Sequence, residues 1–261
     1  MSKPSRLDYA YAVGRVRSLE KKLVSRSDFV EAAEEKDFSD AIKVIYDAGY
    51  FPDEMIEIKD SLDLDNFLER EESGLRALMS EILQEERLQL ILLEENQPSE
   101  ALVHVSDREY PFICDYLKHR IDLGNLKVFC RAKYLDLSPY TFGSLVMKGG
   151  FLDENIWLAN YNLTFGEMGE KLQASSYREV WNRATDALEE KETFIVLERE
   201  VENFLMIYLK RAKYIVFGPE PVFSYALAKK RELQLIRLLG VAKIHRITPE
   251  IIKERMSETY V

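Results

Sequence analysis

The sequence predicts an all-α protein, an internally repeated helical bundle, and three observations carry that prediction. Apolar residues recur at spacings of three and four along most of the 261 residues, whereas alternating strand-like runs are scarce. A motif order also occurs twice. Gly49-Tyr50, Leu68-Glu69-Arg70-Glu71, Pro111-Phe112, the run Asp122 to Lys127, Ala132-Lys133 and Ser138-Pro139 come first. Ser176-Tyr177, Leu197-Glu198-Arg199-Glu200, Pro221-Val222, the run Glu232 to Arg237, Ala242-Lys243 and Thr248-Pro249 repeat that order. Self-similarity across six landmarks marks one unit built two times over. Finally, a constant shift of 110 residues sets Leu117, Leu123, Leu126, Ala132, Leu137 and Pro139 against Leu227, Leu233, Ile236, Ala242, Ile247 and Pro249.

Taken in order, Tyr9, Ala12, Val13, Val16, Leu19 and Leu23 form the stripe of a first helix, interrupted by a polar start at Ser25 or Ser27. Short helices are expected across Phe29 to Glu35 and Ser39 to Ala48, with Gly49 as the C-terminal stop. Residues 51–65 carry Pro52 and a cluster of acids and read as a connection. A long helix is expected from Phe67 to Glu95, ended by Gln97-Pro98-Ser99, and the stretch to Tyr110-Pro111 reads as a loop or a short irregular element.

From Phe112 to Leu135 the helical periodicity is strong. Ser138-Pro139 and Thr248-Pro249 each restart a helix, because the hydroxyl can accept a bond from an orphan amide and proline has no amide to leave unsatisfied. Lys148-Gly149-Gly150 reads as a turn. Long helices are expected from Tyr177 to Phe217 and, after the break at Gly218-Pro219-Glu220-Pro221, on to Arg246. The two helices that match at the 110-residue shift carry apolar residues on more than one side, so each is expected as the central helix of a compact bundle. The expected organisation is an acidic N-terminal helical lobe over 1–110, a second lobe over 111–217, and C-terminal helices over 218–261 that complete the repeat and pack with the N-terminal helix.

Composition narrows the function classes. Residues 1–110 hold 14 Lys and Arg against 26 Asp and Glu, net −12, while the remainder holds 22 against 20, net +2. That acidic field repels phosphate backbones, so nucleic acid is not an expected partner and a basic protein surface is a better one. Cys114 and Cys130 fall on one predicted helix roughly 24 Å apart and cannot bridge, which fits a reducing cytosol. The longest apolar runs, such as Leu90 to Leu93 and Phe204 to Leu209, are far short of a membrane span, and residues 1–6 lack the apolar core of a secretory signal.

Sites for covalent chemistry are not apparent. Gly149-Gly150 lacks the lysine and hydroxyl of a phosphate cradle, and His104, His119 and His245 are too dispersed for a metal set and read as solvated or helix-end residues. Neighbouring acids such as Glu85-Glu86 and Glu189-Glu190 diverge on their helices. Asp60, Asp63 and Asp65 lack the glycine of a calcium loop. No metal, cofactor or catalytic residue is expected. One constellation stands out: Arg120, Lys127 and Arg131 share a helical face, and Lys230 and Arg237 repeat two of the three positions while Val241 replaces the last. These cations either face a partner or snorkel outward and pair with the chain's own acids.

Tyr9 to Glu20, Ile121 to Lys127 with Arg131-Ala132-Lys133, and the run from Gly218-Pro219-Glu220-Pro221 through Tyr225 to Lys243 resemble the C subunit of vacuolar-type and archaeal-type rotary ATPases, called the d subunit in eukaryotes. The resemblance implies an all-helical, funnel-like socket between the central rotor shaft and the membrane ring of proteolipid subunits. Such a protein is non-catalytic and passes on torque for ion transport coupled to ATP hydrolysis or synthesis. It is cytoplasmic, and peripheral to the membrane through its complex. Family members carry three related lobes; two copies and a permuted N-terminal fragment are visible here, so a lobe is expected to be shortened or missing around residues 83–110. The alternative is a helical-repeat scaffold joining other cytosolic proteins.

Overall fold

The computed structural model describes residues 5–93 and 97–261. Among them the regular structure is helical throughout: α1 (Ala10–Glu20), α2 (Arg26–Glu34), α3 (Phe38–Ala48), α4 (Ser61–Ile82), α5 (Glu86–Leu93), α6 (Pro98–Val103), α7 (Pro111–Tyr134), α8 (Pro139–Leu145), α9 (Glu154–Leu158), α10 (Phe165–Lys171), α11 (Arg178–Lys191), α12 (Ile195–Lys210), α13 (Glu220–Ile244) and α14 (Pro249–Arg255). The all-α expectation holds, and local chemistry explains where boundaries differ. α4 starts six residues early because Asp60 accepts bonds from the Leu62 and Asp63 amides at 2.9 Å, capping a turn inside the expected connection.

The long helix expected from Phe67 to Glu95 breaks after Ile82, where Leu83 turns extended and buries its side chain. Gln89 donates to the Leu83 carbonyl at 2.6 Å, and Tyr9 donates to Glu85 at 3.0 Å, so tertiary partners hold the break. The end of that expected helix, at 94–95, lies outside the described residues, as do residues 1–4. The stretch before Tyr110, expected as a loop or a short irregular element, contains α6, which begins with Pro98 at a position where a missing amide costs nothing. The long helices expected from Tyr177 to Phe217 are α11 and α12, followed by a 3-10 turn at Arg211–Tyr214; Glu192, with φ at +50°, stops the first of them.

The chain divides into two compact units, one of residues 1–95 with 206–261 and one of residues 96–205, whereas the sequence reading placed its cuts after 110 and 217. In the first unit α13 packs against α1, α2, α3, α4, α5 and α14. Its buried residues include Val222, Phe223, Leu233, Ile236 and Leu239, which occupy several sides of the helix, as expected for a central element. Leu233, Ile236 and Leu239 join Phe29, Ile42, Ile45 and Phe67 in one core, each such side chain worth about 1.5–3 kcal/mol of burial. Arg17 of α1 donates to the Ala212, Lys213 and Ile215 carbonyls at 2.7, 3.1 and 3.0 Å, satisfying acceptors that the end of a helix leaves open.

In the second unit α7 is central. Phe129 lies 5.6 Å from both Phe142 of α8 and Trp181 of α11 and 6.1 Å from Trp157 of α9, all measured between ring centroids. Edge-on aromatic contacts of this kind add to the burial term.

The 110-residue correspondence extends to backbone detail. After α7 the Leu135 and Leu137 amides donate to Arg131 and Ala132 at 2.9 Å, with Asp136 left-handed at φ +50°. After α13 the His245 and Ile247 amides donate to Val241 and Ala242 at 3.0 and 2.9 Å, with Arg246 at φ +55°. Neither left-handed residue is glycine, so the same uncommon helix stop is built twice. The restarts differ: Ser138 accepts from the Thr141 amide at 3.1 Å, but the Thr248 side chain makes no capping bond, so the expected equivalence of the two hydroxyls fails.

Candidate functional site

The five cations singled out by spacing sit on the two central helices. Lys127 and Arg131, one turn apart on α7, share the Glu198 carboxylate of α12 at 3.0 and 2.5 Å. The Arg131 guanidinium also lies 5.7 Å over the Phe194 ring. Arg120 is half-buried and not among the partners of Glu198; its charge acts on Tyr116, whose hydroxyl burial pushes up to about 12. On α13, Lys230 donates to the Leu92 carbonyl near the end of α5, a favourable place for a cation. Arg237 meets Asp65 of α4 at 3.3 Å. Three of the five are therefore paired with the chain's own acids, through side chains that remain partly exposed and contribute little net stability.

The repeat also places two buried carboxylates that the sequence reading gave no role. Asp122 is fully buried on α7 and accepts the Phe151 amide at 2.8 Å, the Leu152 amide at 3.2 Å and the Tyr177 hydroxyl at 2.8 Å. Three residues on, Asn125 exchanges two bonds with the Met147 backbone at 2.7 and 2.8 Å. Together they pin the loop between α8 and α9. This explains the glycine pair: Gly149 has φ +96°, and a Cβ on Gly150 would collide with Asp122 Oδ1.

At the matching position of α13, Glu232 accepts the Val24 amide at 2.7 Å and the Lys229 ammonium at 2.6 Å. Leu152 and Val24 each precede the capping residue of the next short helix, Asp153 for α9 and Ser25 for α2. A buried acid on each central helix thus holds the corresponding entry of a neighbouring helix, and a lone acid at one apolar repeat position was the signal available for it.

Burial raises the Asp122 carboxyl above the usual aspartate range, against the three bonds it accepts. The Tyr177 hydroxyl proton is committed to Asp122, so His119 Nδ1, 2.8 Å from the same oxygen, is the donor of that pair. His119 is therefore a half-buried network member beside Phe151 and Phe204 at 4.7 and 5.0 Å, not the solvated or helix-end residue expected. His104 and His245 do close helices, α6 and α13.

The acids at Asp60, Asp63 and Asp65 are spent on capping α4, accepting the Lys59 amide and pairing with Arg237. Of the three, Asp63 also lines an acidic concavity of about 730 Å³, together with Glu54, Glu57, Glu69 and Arg70. Its charge suits a cationic surface, and its lining lacks a nucleophile set against a base. Among the described residues no cluster of metal-ligating side chains occurs, and no helix is long and apolar enough to cross a membrane.

The family model described as ATP synthase (C/AC39) subunit matches residues 53–255. Similar proteins include the C subunit of the V-type sodium ATPase of Enterococcus hirae, 24 % identical over 58 % of this chain and 45 % of that protein. The C subunit of the A-type ATP synthase of Archaeoglobus fulgidus is 27 % identical over 58 % of this chain and 43 % of its own length. That of Haloferax volcanii is 26 % identical over 54 % and 41 %. The chain thus spans less than half the length of the curated relatives it matches.

Proposed function

The chain belongs to the ATP synthase (C/AC39) subunit family, and from that membership we propose that it is a non-catalytic central-stalk component of a V-type or A-type rotary ATPase. In this reading it links the rotor shaft to the membrane proteolipid ring and passes torque between them. The supporting observation is the twice-built central helix. α7 and α13 each bury residues on several sides, end in the same left-handed stop and hold a neighbouring helix entry through an internal carboxylate. Within each unit, ties of this kind resist local deformation, which a torque-bearing part requires.

The partner-facing residues would be Arg120, Lys127, Arg131, Lys230 and Arg237. The exposed pairs of Arg131 and Arg237 are weak enough to be exchanged for partner carboxylates, where these cations would set orientation and encounter rate more than affinity. Membrane attachment would come through the complex. Affinity purification of the tagged full chain from gently solubilised membranes tests the reading. Stoichiometric shaft and ring proteins are expected alongside it; recovery of the chain with unrelated cytosolic proteins instead would favour the scaffold alternative.

A further inference from the structure

The first unit carries an open apolar groove between α13 and α14, with a volume of about 530 Å³. Leu238, Val241, Ile247 and Ile251 line it, and Arg237 and Arg255 are the charged members of its lining. Val241, Ile247 and Ile251 are 38, 38 and 44 % exposed, so the apolar strip is continuous across two helices and still open to solvent. Isolated exposed aliphatic residues need no explanation, but a lined trough does.

Charge decides what would fill it. Among the described residues no carboxylate belongs to the lining, although residues 1–110 carry a net charge of −12. Asp65 reaches Arg237 from α4 at 3.3 Å, but that pair is half exposed on both sides and yields readily to a competing carboxylate. The other copy of the repeat sharpens the point. At the 110-residue shift His245 and Arg255 take the places of Leu135 and Leu145, which are exposed beside α7 and α8. The second unit thus has apolar side chains where this groove has a cation and an imidazole, and the exchange adds nothing to the core.

We propose that this groove seats an amphipathic helix of a partner protein whose apolar stripe is flanked by carboxylates. The proposal rests on the partner-binding role given to Arg237 above. A helix laid along the trough would cover the aliphatic floor with residues one turn apart and bring its acids to Arg237 and Arg255. A small molecule fits less well, because an open floor would leave much of it wet.

Two labelled helical peptides with one leucine stripe, flanked either by glutamates or by lysines, are titrated into the full chain and followed by fluorescence anisotropy. The glutamate peptide is expected to bind at least about tenfold more tightly than the lysine peptide. Ile251→Asp should weaken it about tenfold, and Arg255→Glu should reverse the order of the two peptides. Both positions are exposed, so the helical circular dichroism should not change. Equal binding of the two peptides, binding of neither, or binding indifferent to both substitutions overturns the proposal. Its failure would leave the co-purifying set of proteins unchanged, whereas failure of the stalk reading would leave peptide binding intact.

Discussion

Replacing Asp122 tests whether the internal carboxylates carry the rigidity assigned to them. Asp122→Ala leaves the Phe151 and Leu152 amides and the Tyr177 hydroxyl without their acceptor in a fully buried place. Each unsatisfied buried donor costs about 1–3 kcal/mol, and partial relaxation brings the expected total to about 3–5 kcal/mol. Asp122→Asn keeps one acceptor oxygen and the shape, so about 1–3 kcal/mol is expected. Asp186→Ala, at an exposed position on α11, should stay within about 0.5 kcal/mol. Urea unfolding gives the magnitudes, and hydrogen exchange at the Phe151 and Leu152 amides localises them.

The pH dependence has a definite sign. Because burial raises the folded carboxyl above its ordinary value of 3.8, the folded chain holds that proton more tightly than the unfolded one. The associated stability is fully present below the ordinary value and is lost as pH rises through the folded one. The penalty of Asp122→Asn should therefore be larger at about pH 4 than at about pH 7. An alanine variant as stable as the parent, with both loop amides equally protected, would refute the argument.

Other consequences are simpler. Ser138→Ala should cost about 1 kcal/mol because its hydroxyl caps α8, whereas Thr248→Ala should cost no more than a few tenths, since that side chain makes no cap bond; thermal or urea unfolding separates the two. Cys114 and Cys130 are buried, and burial pushes both thiols up to about 12. Neither should react with a disulfide reagent in the native chain near neutral pH, and both should react once it is unfolded, which a thiol titration with and without denaturant reads directly. Glu232→Ala should loosen the Val24 amide in the first unit as Asp122→Ala loosens Leu152 in the second, again read by hydrogen exchange.

The central helices, the Ser138-Pro139 restart and the 110-residue repeat were legible in the sequence because periodicity and capping are local signals. What was hidden depended on distant partners. No local breaker marks the stop after Ile82, which is held by Tyr9 and Gln89; propensity alone continues that helix. Pro98 looked like a terminator and is in fact a first-turn residue, since proline serves at either place. The cationic face was found from its spacing, but its pairing with Glu198 was not, because that contact joins residues 67 and 71 apart in the chain. Asp122 stood in plain view inside a repeated motif, yet only the fold shows that Gly150, Phe151 and Tyr177 converge on it.

The most direct test of the stalk reading is coupling itself, measured in membrane vesicles of the native assembly as nucleotide hydrolysis and ion transport side by side. With Arg120 and Lys127 reversed to glutamate in a chain that still folds, hydrolysis should continue while transport collapses. Undiminished transport would contradict their partner-facing role, and unaided turnover of nucleotide by the purified chain would contradict the non-catalytic account as a whole.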